Sequence, residues 1–323
     1  MQPSKLSFFK QRLKKLISHP MRYPYLAALR PHQWTKNLLV FAAPLFDFSI
    51  EGQTLADSTL AFVLFCFASS GFYLINDIVD VEADRRHPVK SKRPLAAGLV
   101  SMPAAMTMAA VLLGSALIIG WLQSPALGGT LLFYALLQTA YNIELKRVPI
   151  ADILTIAMGF ILRAYAGAAA SGIIPSPWFL LCTAMLALFI AIEKRKSELR
   201  LIEIHGISNT RAVIGRYSKS LLTRMESTAT SGAVISYALW SAGPMLGGAT
   251  TPLMMLTLPF VLYGIFRYQL LSDPDEISRR NTAVSDTGGS TERPEELLFT
   301  DLPIIANTLG WALSSLAILY FTK

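Results

Sequence analysis

Residues 76–98 read NDIVDVEADRRHPVKSKRPLAAG, and this stretch decides how the rest of the chain is read. A long apolar run ends here with Asn76, Asp77, Asp80 and Asp84, and Arg85, Arg86, Lys90, Lys92 and Arg93 follow. Steps of three and four residues set Asp77, Asp80 and Asp84 on one helix face, with Asn76 one turn before Asp80. Three carboxylates on one face repel each other, and proximity to a membrane raises the cost. A divalent cation relieves it. Hard oxygen donors of this kind suit Mg2+, which commonly sits between one or two carboxylates and a phosphate group. The stretch therefore reads as a magnesium–diphosphate site at a membrane surface, with Arg85, Lys90, Lys92 and Arg93 as candidates for substrate phosphates.

The composition says which solvent the remainder faces. With 53% hydrophobic and only 15% charged residues, the chain does not read as a water-soluble globule. Apolar segments recur near 58–76, 103–122, 126–142, 153–172, 177–193, 228–247, 252–271 and 303–322, each approaching the roughly 20 residues that cross a bilayer. A shorter one, 37–50, completes a first span with part of the segment before it. The expectation is an all-α polytopic membrane protein of nine transmembrane helices with short connections, forming one domain over residues 25–323.

Basic residues orient it. The segment through Lys36 carries eight of the 29 Lys and Arg. Loops near 77–102, 143–151, 194–227 and 273–302 carry most of the others, and the alternate connections at 51–57, 123–125, 173–176 and 248–251 carry none. The positive-inside rule then places the N-terminus and every charged motif on the cytoplasmic face of the cell (inner) membrane, with the C-terminus outside. The net charge of +8 is in part this topology signal and contact with anionic lipid, and in part a means of binding an anionic substrate. It lies in short loops between spans, which argues against nucleic acid. Residues 1–24 form a basic segment in which KLSFFKQRLKKLI places Leu6, Phe9, Leu13 and Leu16 on one face, as in an interfacial helix. Cys66 and Cys182 fall within expected spans and read as packing residues. His19, His32, His87 and His205 form no zinc-binding spacing.

Four further groups bear charge at span ends. In RPHQWTKN, Arg30–Asn37, Trp34 and Lys36 suit an interfacial anchor, while Gln33, Lys36 and Asn37 equally suit phosphate oxygens. In YNIELKRVPIAD, Tyr141–Asp152, Pro149 breaks the helix and Asp152 opens the next. There it complements the helix dipole or meets a metal or a sugar hydroxyl, with Lys146 near a phosphate and Tyr141 among the substrate-binding candidates. Arg163 lies about three turns into GFILRAYAGAAASG. An arginine at that depth is costly and calls for an acidic partner or a phosphate, unless it snorkels. The last group, AIEKRKSELR over Ala191–Arg200, reads mostly as a solvated basic loop, with Glu193 at the membrane edge the least readily explained that way.

Together, NDIVDVEADR, the RPHQWTKN entrance and nine spans with every charged motif on one side resemble the UbiA-type intramembrane prenyltransferases, over about residues 25–322. That resemblance implies a helical bundle around a central cavity, open sideways to lipid and capped by cytoplasmic loops, with Mg2+ linking the aspartates to a diphosphate. Quinone-type members carry a second aspartate-rich motif after the sixth helix, whereas Lys194–Glu226 here contains no Asp. QWTKNLLVFAAPLF, DRRHPVKSKRPLAAG, YNIELKRVPIADIL, GFILRAYAGAAAS and PEELLFTDLP look like the branch that transfers phosphoribosyl to decaprenyl phosphate. For that branch the donor is phosphoribosyl diphosphate (PRPP) and the acceptor a polyprenyl phosphate lipid. Lys194, Arg195 and Lys196 in place of an acidic motif suit the additional phosphates. The rivals are prenyl transfer to an aromatic or glycerol-phosphate acceptor, which the first motif serves equally, and a transporter using the buried charges as a path. Clustering of carboxylates at one face disfavours the transporter. The sequence leaves lipid chain length open, and a homo-oligomer is compatible with it.

Overall fold

The computed structural model describes residues 23–47, 51–86, 90–205, 213–273, 276 and 301–322. The basic segment through residue 22 and the stretch 285–296 lie outside the described residues, as do residues 294–300 of PEELLFTDLP. Every regular element among the described residues is helical. A short α1 (Pro24–Ala28) precedes a 3-10 stretch, Pro31–Phe41, that runs into α2 (Ala42–Phe46). Then follow α3 (Gly52–Val79), α4 (Val81–Arg86), α5 (Met102–Gln123), α6 (Pro125–Ile143) and α7 (Ala151–Ser171). The chain continues through α8 (Pro177–His205), α9 (Lys219–Ser241), α10 (Leu258–Ser272) and α11 (Leu302–Phe321).

Among the described residues six of the nine expected stretches are long and apolar enough to cross a membrane: α3, α5, α7, α8 over Pro177–Arg200, Pro252–Ser272 and α11. Two segments differ from the apolar pattern, each for local reasons. The segment expected to end near residue 193 continues as helix to His205, because its charged residues find buried partners rather than water. The segment expected at 228–247 begins earlier, at Lys219, where the Ser218 hydroxyl accepts from the Leu221 amide, satisfying a terminal donor. It ends at Ser241, since Gly243 turns the backbone to φ +101 ahead of Pro244.

The chain forms two compact units. Among the described residues, the first comprises those within 23–38 and 59–135, the second those within 39–58 and 136–322. In the first, Leu74, Val81, Leu95, Val100, Ala105 and Ala109 form a buried core, and the Phe65 and Phe72 rings pack on Tyr134. In the second, α8 packs along both α7 and α9, and α10 along α11. Ile153, Phe189, Ile192, Ile214, Leu222 and Leu271 fill one core of this unit. Small residues bring α7 against the 39–46 stretch. A Cβ on Gly167 would stand 1.8 Å from the Val40 carbonyl oxygen, so only glycine permits that approach.

Candidate functional site

In the first unit the i→i−4 ladder carries on past the end of α3. The Asp80 amide donates to Asn76 O and the Asp84 amide to Asp80 O, at 2.9 and 2.8 Å. That continuity puts Asp77 and Asp84 on the same face, and both are only 3% exposed. Asn76 and Asp80 are half-buried on the same helical end. The repulsion expected between the carboxylates is met by two arginines. Arg93 Nη1 donates to Asp77 Oδ1 at 3.1 Å and to Asp84 Oδ2 at 2.5 Å, so the two carboxylates converge on a single cationic nitrogen. Arg30 Nη2 pairs with the same Asp77 oxygen. Arg30 holds φ +54, a strained conformation for a side-chain-bearing residue, and its guanidinium lies 4.9 Å from the centroid of the Tyr73 ring. Arg30 is not among the residues expected at the site. Its signal was present: an arginine directly before the proline that opens a span.

Other candidates of this unit have definite places. Asn37 is fully buried and its amide donates to Cys66 Sγ and Ser69 Oγ, each at 3.3 Å. Trp34 Nε1 donates to Ser70 Oγ at 3.0 Å, and Ser70 in turn to Leu29 O at 2.9 Å. One face of α3 thus pins the 3-10 stretch that follows Arg30. Gln33 and Lys36 are half-buried, and Lys90 and Lys92 exposed. Arg85 pairs with Glu82 at 2.7 Å on the surface, an exposed pair of small energetic weight.

In the second unit the group expected to be a solvated loop is a buried polar network. Arg195 and Asp152 are both 0% exposed, with Arg195 Nε donating to Asp152 Oδ2 at 2.8 Å. Arg195 Nη1 donates to Glu198 Oε2 at 2.5 Å, and Arg195 Nη2 is buried without a hydrogen bond. The Tyr217 hydroxyl donates to Asp152 Oδ1 and accepts from the Ile150 amide, both at 2.6 Å. Burial, then the carboxylate beside it, pushes the Tyr217 phenol up to about 12. It stays protonated as a donor: the bond's contribution is full below about pH 10 and lost as pH rises through about 12. Ile150 takes φ +70 as the residue before α7. Asp152 does sit in the first turn of α7, but its oxygens serve α8 and the Tyr217 turn.

At the next residue of α8, Lys196 Nζ lies 2.8 Å from Glu193 Oε1 and 2.6 Å from Glu226 Oε2. Gln269 donates to the other Glu226 oxygen at 2.7 Å, so the network ties α8 to α9 and α10. Lys194, Tyr141 and Lys146 are half-buried, and Tyr141 lies within electrostatic reach of Arg195. Arg163 is buried and donates to the Gly159 carbonyl of its own helix at 2.6 Å. Within this unit an apolar cavity of about 340 Å³ opens among Phe46, Phe179, Tyr237, Trp240, Tyr268 and Trp311.

Among the described residues no cluster of three or more His, Cys, Asp or Glu is arranged to hold a metal ion. A magnesium site that completes its shell with phosphate needs fewer protein ligands, one or two carboxylates. Asp77 and Asp84, converging on one positive nitrogen, fit that donor set.

Residues 38–284 match the UbiA prenyltransferase family. The chain is 36% identical over 305 residues to a decaprenyl-phosphate phosphoribosyltransferase of Mycolicibacterium smegmatis, covering 92% of each chain. It is 42% identical over 220 residues to the protein of the same name from Corynebacterium glutamicum, covering 67% of this chain and 66% of that one. In fold it resembles the structure of a UbiA homolog from Archaeoglobus fulgidus bound to GPP and Mg2+, with a TM-score of 0.67 at 20% identity, over 92% of this chain and 99% of that one. With a buried carboxylate pair at the end of an apolar helix and a family match over most of its length, the chain belongs to the UbiA prenyltransferase family.

Proposed function

We propose that the protein transfers the 5-phosphoribosyl group of PRPP to decaprenyl phosphate in the membrane, releasing diphosphate. The observation that carries this is near full-length similarity to an enzyme so named, in a chain whose buried Asp77 and Asp84 converge on one cation. Asn76, Asp77, Asp80 and Asp84 would hold Mg2+. When bound, that ion acts as a Lewis acid, offsetting negative charge on the diphosphate.

The reaction breaks the bond from the anomeric carbon to the diphosphate oxygen, whose electron pair leaves with diphosphate. Positive charge grows on the ribose meanwhile, as in glycoside chemistry. A phosphate oxygen of the lipid forms the new bond. It is ionised at neutral pH, so no general base is needed, and direct displacement inverts the anomeric centre. Gln33, Lys36, Arg85, Lys90, Lys92 and Arg93 are assigned to phosphate oxygens in the first unit, and Tyr141, Lys146, Arg163 and Lys194 to substrate in the second. Preorganised cations of this kind stabilise departing charge without reorganising. Asn37, Asp152 and Glu193, buried against protein partners, are assigned to positioning, and Arg195 Nη2 to a substrate oxygen. The apolar cavity of the second unit suits the isoprenoid tail.

The same reading takes residues 25–323 as one catalytic domain of nine spans in the cell membrane, its N-terminus cytoplasmic and its C-terminus outside. The test is direct. Purified protein is incubated with Mg2+, PRPP and decaprenyl phosphate, and the lipid product is weighed by mass spectrometry. A phosphoribosylated lipid supports the assignment. Turnover only with a prenyl diphosphate and an aromatic or glycerol-phosphate acceptor overturns it.

A further inference from the structure

Asp77, Asp84, Arg30 and Arg93 form a buried quartet whose formal charges cancel. Both carboxylates are 3% exposed, and a buried charge without a partner is strongly unfavourable. Asp80, half-buried on the same helical end, adds one negative charge, so a divalent cation arriving alone would still leave an excess of positive charge. It would also have to compete for the oxygens that Arg93 now holds, since one guanidinium nitrogen bridges Asp77 and Asp84. The two arginines differ in freedom. Among the described carboxylates Arg30 pairs with Asp77, and it is also held over Tyr73. Arg93 follows a three-residue 3-10 turn, Lys90–Lys92, with its side chain partly exposed.

We infer that Arg93 is the internal counter-ion of the acidic pair, and that it exchanges its carboxylates for a phosphate oxygen when metal and diphosphate arrive together. Arg30 stays with Asp77 and orients its carboxylate. The quartet thereby makes binding of Mg2+ and of a diphosphate cooperative: each supplies the charge that the other's arrival leaves unbalanced. This rests on the magnesium–diphosphate reading of the site, but not on which diphosphate is the donor.

The experiment measures thermal stability of the detergent-purified full chain across titrations of Mg2+ alone, inorganic diphosphate alone, and both together. For the wild type, the two together should raise the melting temperature at concentrations where neither does so singly. In Arg93→Ala the half-saturating Mg2+ concentration without diphosphate should fall by at least roughly tenfold, since the variant loses two charge-assisted contacts. Arg30→Ala, which removes a contact to Asp77 only, should lower it less. A purely structural arginine would not yield tighter metal binding when removed. Should Arg93→Ala not fold, Arg93→Gln is titrated instead, and the wild-type titrations decide independently. Mg2+ binding equally well with and without diphosphate, or unchanged Mg2+ binding in the Arg93 variant, overturns the exchange. Cooperative binding of Mg2+ and diphosphate without turnover of PRPP would instead count against the donor assignment and leave the exchange standing.

Discussion

Asp77 and Asp80 stand three residues apart on one helical end, yet removing their charges should have different consequences. Asp77 is buried and shared by two arginines, whereas Asp80 is half-buried. Asp77→Asn should abolish transfer and also lower stability by about 3 kcal/mol, the low end for a broken buried pair because Arg30 and Arg93 keep 19% and 26% exposure. Asp80→Asn should abolish transfer with the melting temperature nearly unchanged. Activity and thermal melting of both variants check this, and equal melting temperatures for the two would refute the distinction. A second pair gives a cleaner energetic test. Asp152 and Arg195 are wholly buried, so Asp152→Asn should cost about 3–5 kcal/mol, and adding Arg195→Gln should restore part of it. Additive losses in the double variant, measured by denaturant unfolding, would show that the two do not act as a pair. The acidic face was legible in the sequence from its three- and four-residue spacing. Arg93 was legible as a phosphate candidate, but the pairing of Arg30 and Arg93 with Asp77 was not, because they lie 47 and 16 residues from it and no local pattern links them.

Elements formed where apolar length and punctuation agreed, and shifted where a buried polar partner or a turn intervened. Helix α8 shows the first case. The stretch 193–198 looks like a soluble basic loop in sequence, but Asp152, Glu226 and Gln269 come from α7, α9 and α10 and make it part of the interior. Helix α7 shows how a single small residue sets packing. Gly167→Ala would push a Cβ against the Val40 carbonyl, and a backbone atom cannot swing away as a side chain does. The expected cost is about 1–3 kcal/mol, read as a lowered melting temperature, with Gly129→Ala as the control because open space surrounds that position. Equal melting of both variants would show that the 39–46 stretch yields freely.

At the scale of the whole molecule the assignment turns on charge type. In the second unit Arg195 and Lys196 are paired with carboxylates, but Arg195 Nη2 keeps no hydrogen bond and, beside Lys194 and with no Asp between 194 and 226, suits a donor bearing an additional phosphate. Ribose 1-diphosphate should therefore be a poorer donor than PRPP by roughly ten- to two-hundred-fold in transfer efficiency, the value of one charge-assisted contact. Comparable efficiency for the two donors would remove the 5-phosphate from the recognition. The sequence by itself determined what depends on composition and near neighbours: an all-helical membrane chain, the acidic face of Asn76–Asp84, and the family it resembles. Solvent and helical periodicity act over a few residues, so they can be read along the chain. Only the tertiary structure decided which charges neutralise which. It made Arg93 the bridge between Asp77 and Asp84, turned Arg195 from a surface cation into the buried partner of Asp152, and gave Asn37 to Cys66 and Ser69. Burial is the physical reason: a charge removed from water must find its partner wherever the fold brings one, and that distance is not written in the order of residues.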